Sequence, residues 1–503
     1  MQYLLGIDIG TTSTIGILIG PPDKVLAMSS RPVTLSAPHS GWTEESPAQW
    51  WSNVGEICQQ LLADSGIAAS EIGGIGVTGM LPAVVLLDKE DRLLRPSIQQ
   101  SDGRCGNEVL KMRAEMDSHH FLKRAGNGIN QQLVGAKIRW IEQHEPAVFQ
   151  AIDTVFGSYD FINWKLTGEK VIEQNWALEA GFVDISSNRI DDELIDFAHL
   201  PRHSVPRLAL SHEIIGTVTA QAAAWTGLHA GTPVIGGAAD LIASALGAGV
   251  TSPGDVLLKF GGSVDILTVT EMATPDPRLY LDYHLVPGRY MPNGCMSTGG
   301  SGLNWFVQNF AAQHEPAARA KGVSIHQYLD ALAQTRPAGS DGLIFQPYFL
   351  GEKTPLHDPD ARGILFGLTL THDAGHMWRA LLEAYAYAIK HHIETLLDIG
   401  YPVKRYIVSD GGSASTLWMQ IVADVLGKSL SRLEGHPGSC LGAAWTAAIG
   451  VGIATDWKGA QAWVHLKDII APQSEHAEVY RHGYDRFRQL YQACRSLTSQ
   501  GTP

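Results

Sequence analysis

The chain lacks the marks of several large protein classes. Its five cysteines, Cys58, Cys105, Cys295, Cys440 and Cys494, are scattered and form no Cys-x-x-Cys pair. An odd, dispersed set argues against a disulfide framework and for reduced thiols in a cytoplasm. Positive charge is in deficit: 37 Lys and Arg stand against 51 Asp and Glu, a net charge of -14. That balance argues against a nucleic-acid backbone as the main partner. No basic stretch precedes the first apolar run, and Asp8 interrupts it, so the N-terminus does not read as a signal peptide. Long hydrophobic runs are missing too. The stretch from Ile75 to Leu87 contains Gly79 and Pro82 and is too short to span a bilayer. No low-complexity linker interrupts the chain. What remains is a 503-residue protein, 45% apolar and 17% charged. That suits a large core and two domains of roughly 250 residues each.

The most informative residues lie near the start. Leu5-Gly6-Ile7-Asp8-Ile9 reads as an apolar strand carrying an acid. It runs into the turn Gly10-Thr11-Thr12-Ser13 and then a second apolar strand, Ile15 to Ile19. Glycine lets backbone approach an anion, and the amides and hydroxyls of the turn can donate to it. Asp8, at the strand end, is placed to hold a divalent cation through water. Such a hairpin grips phosphate without a Walker loop. It also reads as a plain β-hairpin with a polar turn.

The texture of the first half alternates strands and helices. Tyr3 to Ile9, Ile75 to Thr78 and Val84 to Leu87 are expected strands. Pro47 to Leu62, Lys137 to Ile141 and Tyr159 to Leu166 are expected helices. A buried strand, Pro233 to Asp240, ends in small residues and an acid, with a helix from Ile242 to Gly247 after it. Asp255 to Phe260, the turn Gly261-Gly262-Ser263 and Val264 to Val269 then repeat the plan of the opening hairpin. Two related lobes follow from that repeat. Further on, a strand Tyr406 to Val408 enters Asp410-Gly411-Gly412-Ser413-Ala414-Ser415 and a helix from Leu417 to Leu426, a nucleotide-binding corner. Long helices are expected over Met377 to Leu397, Leu441 to Ile449 and Val479 to Leu497.

Phosphoryl transfer needs charge neutralisation, a metal, an in-line acceptor and a group to take the acceptor's proton. The two turns, Gly10, Thr11, Thr12, Ser13 and Gly261, Gly262, Ser263, are the candidate phosphate grips. The loop of Gly411, Gly412, Ser413 and Ser415 leaves bare backbone for a flat adenine, and Asp240 is the candidate base. Each has a structural alternative. Asp240 also reads as an N-cap, the glycine loops as ordinary turns, and Asp102-Gly103-Arg104 as a solvated turn.

Taken together, these residues resemble the FGGY carbohydrate kinase family, closest to its xylulokinase-like branch, over nearly the whole length. The resemblance rests on Gly6 to Ser13, on Gly41-Trp42 with Glu44, Pro47 and Trp50-Trp51, and on Arg95-Pro96, Ser101 to Arg104 and Gly236 to Asp240. The most distinctive stretch is Pro347-Tyr348-Phe349-Leu350-Gly351-Glu352-Lys353-Thr354-Pro355, with Arg362-Gly363 and Phe366-Gly367-Leu368 after it. The resemblance implies an α/β fold of two actin-like, ribonuclease-H-like ATPase domains, 1–246 and 247–503, flanking a catalytic cleft. It implies ATP with Mg2+, a small sugar or polyol substrate, and a homodimer. It sets Asp240 at the catalytic base and Asp8 at a magnesium-associated acid.

Several contacts depart from the family. The sugar-binding Gln-Met-His-Gly of xylulokinases reads Met80-Leu81-Pro82-Ala83 here, Trp-Asn-Asp reads Gln100-Ser101-Asp102, and the residue after the base is Leu241 instead of Asn. Leu81, Pro82, Gln100, Asp102, Asp240 and Leu241 are thus the candidate substrate contacts. Their changed chemistry favours a ketose or polyol other than D-xylulose, such as ribulose, erythrulose or erythritol. The second turn reads Gly261-Gly262-Ser263-Val264 for Gly-Thr-Ser-Gly and loses a hydroxyl. The expected activity is ATP-dependent phosphorylation of a ketose hydroxyl, D-xylulose or a related pentulose. The rivals are a kinase of another ketose or polyol, an actin- or Hsp70-like ATPase, and a sugar-sensing pseudokinase, though this chain keeps both the base and the first turn.

Overall fold

The computed structural model describes residues 2–20, 24–435 and 438–498. They form two compact units. Unit 1 comprises Met1–Thr251, Glu271–Met291 and Pro437–Val464; unit 2 comprises Ser252–Thr270, Pro292–His436 and His465–Pro503. No single cut of the chain separates them.

Unit 1 is built on a mixed sheet of β1 (Tyr3–Ile9), β2 (Ser13–Gly20), β3 (Lys24–Pro32), β4 (Ile72–Gly79), β5 (Ile214–Thr217) and β6 (Pro233–Ile235). The spatial order is β5-β6-β4-β1-β2-β3. The β1–β2, β2–β3 and β5–β6 pairs are antiparallel; β1–β4 and β4–β6 are parallel. Leu4, Leu5, Ile7 and Ile9 are all buried, as expected of a strand covered on both faces. One cover is the helix Pro47–Ser65: a Cβ at Gly16 would lie 2.4 Å from Ile57 Cγ2. The other is the helix Ser439–Gly450. A Cβ at Gly6 would lie 2.1 Å from the Cys440 carbonyl oxygen, and one at Gly76 2.2 Å from that of Ala443. On its far side that helix meets Asp240–Gly247, where a Cβ at Gly442 would lie 1.9 Å from the Ala243 oxygen.

Unit 2 carries β7 (Asp255–Phe260), β8 (Val264–Thr268), β9 (Tyr290–Met296), β10 (Arg405–Ser409), β11 (Leu430–Leu433) and β12 (Leu466–Ile470), in the order β9-β8-β7-β10-β11-β12. Counted from β9, the pairings run antiparallel, antiparallel, parallel, parallel, antiparallel. Counted from β3, unit 1 runs the same way. The repeat read from two hairpins therefore extends to whole sheets. The helices Ala374–Ile399 and Thr416–Leu426 pack on each other, with Tyr385 against Trp418, and Ala477–Thr498 buries Tyr480, Tyr484, Phe487 and Tyr491.

The expected helices and strands are present, mostly longer by one to three residues at an end. The expected strand from Pro233 to Asp240 is different. It stops at Ile235, Gly236-Gly237 break it, Ala238–Ala239 pair briefly with β4, and Asp240 begins a helix. Gly237 has φ 91°, and a Cβ there would lie 2.3 Å from the Val77 oxygen. All five cysteines are free. Among the described residues no helix is long and apolar enough to cross a membrane.

Gly442→Ala sets a methyl against backbone that has no rotamer to yield. It should lower unfolding free energy by about 1–3 kcal/mol in urea denaturation. Gly128→Ala, whose Cβ would meet nothing within 4 Å, should be near neutral. Equal stabilities would contradict backbone-to-backbone packing at this helix.

Candidate functional site

The C-terminal edge of β1 and β4 gathers the first set of candidate residues. Asp8 pairs with Ile15 of β2 and Thr78 of β4; Ile9 pairs with Gly79, and Gly79 with Ala239. The first turn, Met80 and Asp240 thus emerge at one level of one sheet. The turn closes with Gly10 N–H donating to the Ser13 oxygen at 3.1 Å, and Val33 N–H donates to the Thr12 oxygen at 3.0 Å. Thr12 is exposed, and Thr11 and Ser13 are half-buried. A Cβ at Gly10 would lie 3.7 Å from Asp8 Oδ2, so the carboxylate faces the turn. The Asp8 charge, with burial as the larger cause, holds the Cys440 thiol well above its ordinary range.

Asp240 is half-buried and occupies the first turn of its helix, while Ala239 takes the cap position. The N-cap alternative therefore does not describe it. Its Oδ1 accepts from Leu241 N–H at 2.6 Å. Gly236, Gly237, Ala238 and Ala239 precede it in the chain. Asn163 Nδ2 donates to the Gly236 oxygen at 2.8 Å and fixes the break before it.

The candidate sugar contacts outside the Asp240 helix, Leu81, Pro82, Gln100 and Asp102, lie on two loops tied by one ammonium. Lys137 Nζ, fully enclosed, donates to the Gln99 oxygen at 2.8 Å and the Pro82 oxygen at 3.4 Å. Leu81 and Pro82 are buried, Leu241 half-buried, and Gln100 Oε1 accepts from Gln132 Nε2 at 3.0 Å. Burial lowers the Lys137 pKa from 10.5 to about 8, against an opposing pull from Asp102 and Glu179. Burial raises Glu179 to about 7.

Asp102 occupies a different setting from the solvated turn and from an open sugar contact. Its side chain is fully buried, and its oxygens accept from Arg104 Nε (2.8 Å), Arg104 NH2 (2.7 Å), Arg104 N–H (3.0 Å) and Thr43 N–H (2.6 Å). Arg104 in turn lies 4.0 Å from the centre of the Trp42 ring and pairs with Glu44 at 2.8 Å. The carboxylate orients this guanidinium, which explains why Gly41-Trp42, Glu44 and Asp102 to Arg104 occur together.

Unit 2 holds a cavity of about 970 Å³ lined by Phe260, Gly261, Gly262, Gly411, Gly412, Ser415 and Trp418. All of them belong to segments singled out in the sequence. A Cβ at Gly262 or Gly411 would meet nothing within 4 Å, so both present bare backbone to open space. Gly412 differs: its Cβ would lie 2.7 Å from Trp418 and 2.8 Å from Phe260. The Ser413 hydroxyl is used within the loop, donating to the Asp410 oxygen at 2.7 Å. Ser415 caps Thr416–Leu426, accepting from Trp418 N–H at 3.1 Å and donating to Asp330 Oδ2 at 2.6 Å.

Two parts of this cavity escaped sequence reasoning. Gly299, Gly300 and Ser301 N–H groups donate to the carbonyls of Gly262, Gly261 and Gly262 at 2.7, 2.9 and 3.1 Å and clamp the second turn. The run Gly299-Gly300-Ser301-Gly302 was the available signal. Asp330, on the helix Ile325–Gln334, also lines the cavity and is raised by burial above its ordinary value. An acid on an amphipathic helix carries no signal by itself.

Residues 3–247 match the FGGY family of carbohydrate kinases, N-terminal domain, and residues 261–451 match its C-terminal domain. The crystal structure of xylulose kinase from Rhodospirillum rubrum is similar at 54% identity and a TM-score of 0.92, over 99% of this chain and 100% of that one. Xylulose kinase of Escherichia coli (strain K12) is 29% identical over 491 residues, 97% of this chain and 98% of that protein. Gluconokinase of Bacillus subtilis (strain 168) is 29% identical over 445 residues, 88% and 86% of the two chains.

Lys137 yields a test by pH. Folding lowers its pKa, so between about 8 and 10.5 the folded form holds fewer protons than the unfolded form. Its contribution to stability therefore rises with pH across that window. The unfolding free energy of wild type relative to Lys137→Met should shift toward the wild type by on the order of 3 kcal/mol from pH 8 to 10.5. A pH-independent difference would contradict a buried ammonium at the loop junction.

Proposed function

The chain belongs to the FGGY family of carbohydrate kinases, and from that membership we propose that it transfers the γ-phosphate of ATP to a hydroxyl of a ketose, D-xylulose or a related pentulose. The observation that carries this reading is the position of Asp240. It stands level with Asp8 and the first turn at one sheet edge, among glycine and alanine that leave room for a hydroxyl.

In this mechanism Asp240 accepts the proton of the acceptor hydroxyl as its oxygen attacks the γ-phosphorus, and ADP leaves. Gly10 to Ser13 offer amides and hydroxyls to phosphate oxygens. Asp8 faces that turn and suits a hydrated cation; Mg2+ bound there would neutralise phosphate charge. The cavity of unit 2 fits adenosine: Gly411 and Gly262 leave it open backbone, and Phe260 and Trp418 wall it with rings. Asp330 adds an acceptor for a ribose or amino group there.

The likeness to xylulose kinases supports D-xylulose. A specific observation favours a second reading: Leu81 and Pro82 are buried and Leu241 half-buried where the family places polar sugar contacts. An unmatched hydroxyl costs about 1–3 kcal/mol, so two such losses would weaken D-xylulose by orders of magnitude. Measuring kcat/KM for D-xylulose beside ribulose, erythrulose and polyols separates the two. A wide lead for D-xylulose supports the pentulose reading; a wide lead for erythrulose or a polyol supports the second.

Asp240→Ala should lower turnover by about a hundredfold or more while ATP binding stays near wild type. Near-wild-type kcat at saturating substrates would remove Asp240 from the role of base.

A further inference from the structure

Lys259 stands out beside the second turn. It lies two residues before Gly261, the place that Asp8 holds before Gly10 in the first hairpin. The two hairpins thus carry opposite charges at matching positions. Phe260 lines the cavity, so the alternation of β7 puts Lys259 on the other face. There it pairs across the sheet with Asp265 of β8 and Ser409 of β10. Its Nζ lies 4.0 Å from Asp410 Oδ2, and that oxygen lies 3.6 Å from where a Gly261 Cβ would stand. The ammonium and the carboxylate therefore flank the mouth of the turn.

Asp410 has φ 68° and ψ -178°, a backbone region that glycine occupies without strain and other residues do not. Both side chains of the pair are about a quarter exposed, at 24% and 28%. A partly exposed pair at that separation contributes little to stability and does not offset the strain. That conformation sets the Asp410 carboxylate beside the second turn. The second turn has one hydroxyl fewer than the family pattern, so a phosphate there is short of a donor.

We propose that Lys259 contacts the phosphates of a nucleoside polyphosphate at the second turn, and that Asp410 holds its ammonium there until a phosphate displaces the carboxylate. This rests on the reading of the unit 2 cavity as a nucleotide site. No covalent step is involved: one ion pair exchanges for another, with charge-assisted hydrogen bonds to phosphate oxygens.

Calorimetric titration of the full-length protein with adenosine, ADP and a non-hydrolysable ATP analogue tests it. Lys259→Met should weaken ADP and the analogue by about tenfold or more, the scale of one charge-assisted contact, with adenosine unchanged. Lys259→Arg should restore most of that loss, and Asp410→Gly should tighten ADP. Equal weakening of adenosine and ADP by Lys259→Met, or no effect on either, would overturn the proposal. So would Asp410→Gly binding ADP no more tightly than wild type. Failure of the wild-type protein to bind any of the three would instead overturn the nucleotide site itself, and the proposal with it.

Discussion

Everything at the candidate site of unit 1 depends on a close approach of backbones. The helix Ser439–Gly450 lies on β1 and β4 so tightly that Gly6 and Gly76 have no room for a Cβ, and Gly442 meets the helix of Asp240 as closely. One helix therefore sets the height of the strand that carries Asp8 and of the helix that begins with Asp240. Side chains could not do this, since each would hold the layers several ångströms further apart. The opposite cover, Pro47–Ser65, meets Gly16 through the side chains of Ile57 and Leu61.

The same economy governs the second hairpin. There the clamp is Gly299 to Ser301, whose amides take up the turn's carbonyls. Each unit thus holds its turn with backbone hydrogen bonds. The repeated strand order of the two sheets makes this a shared design. The chemistry placed on it differs: an acid before the first turn, a lysine before the second.

Much of this was legible in the chain. The two hairpins, the strand into Asp410 and the helix after Ser415 all announce themselves through apolar runs broken by glycine. Gly236-Gly237-Ala238-Ala239-Asp240 was legible as a candidate site but not as a shape. A run of small residues reads as a strand end, and only the neighbours at Val77 and Leu210 show why the chain must break there. Asp102 reads in the sequence as a sugar contact or as part of a solvated turn, because nothing local tells a buried acid from an exposed one. Its partners Arg104 and Thr43 N–H meet it through the fold. Asp330 and Lys137 escaped notice for the same reason: their roles come from loops distant in sequence.

The account's central claim is that this site passes phosphate to a sugar. Direct analysis of the products of one incubation with ATP and a ketose, by phosphorus NMR, tests it. The account predicts a phosphate monoester of the ketose appearing in step with ADP, with little ADP or inorganic phosphate formed when sugar is left out. ADP and inorganic phosphate released at the same rate with and without every ketose and polyol tried, and no sugar phosphate, would contradict it.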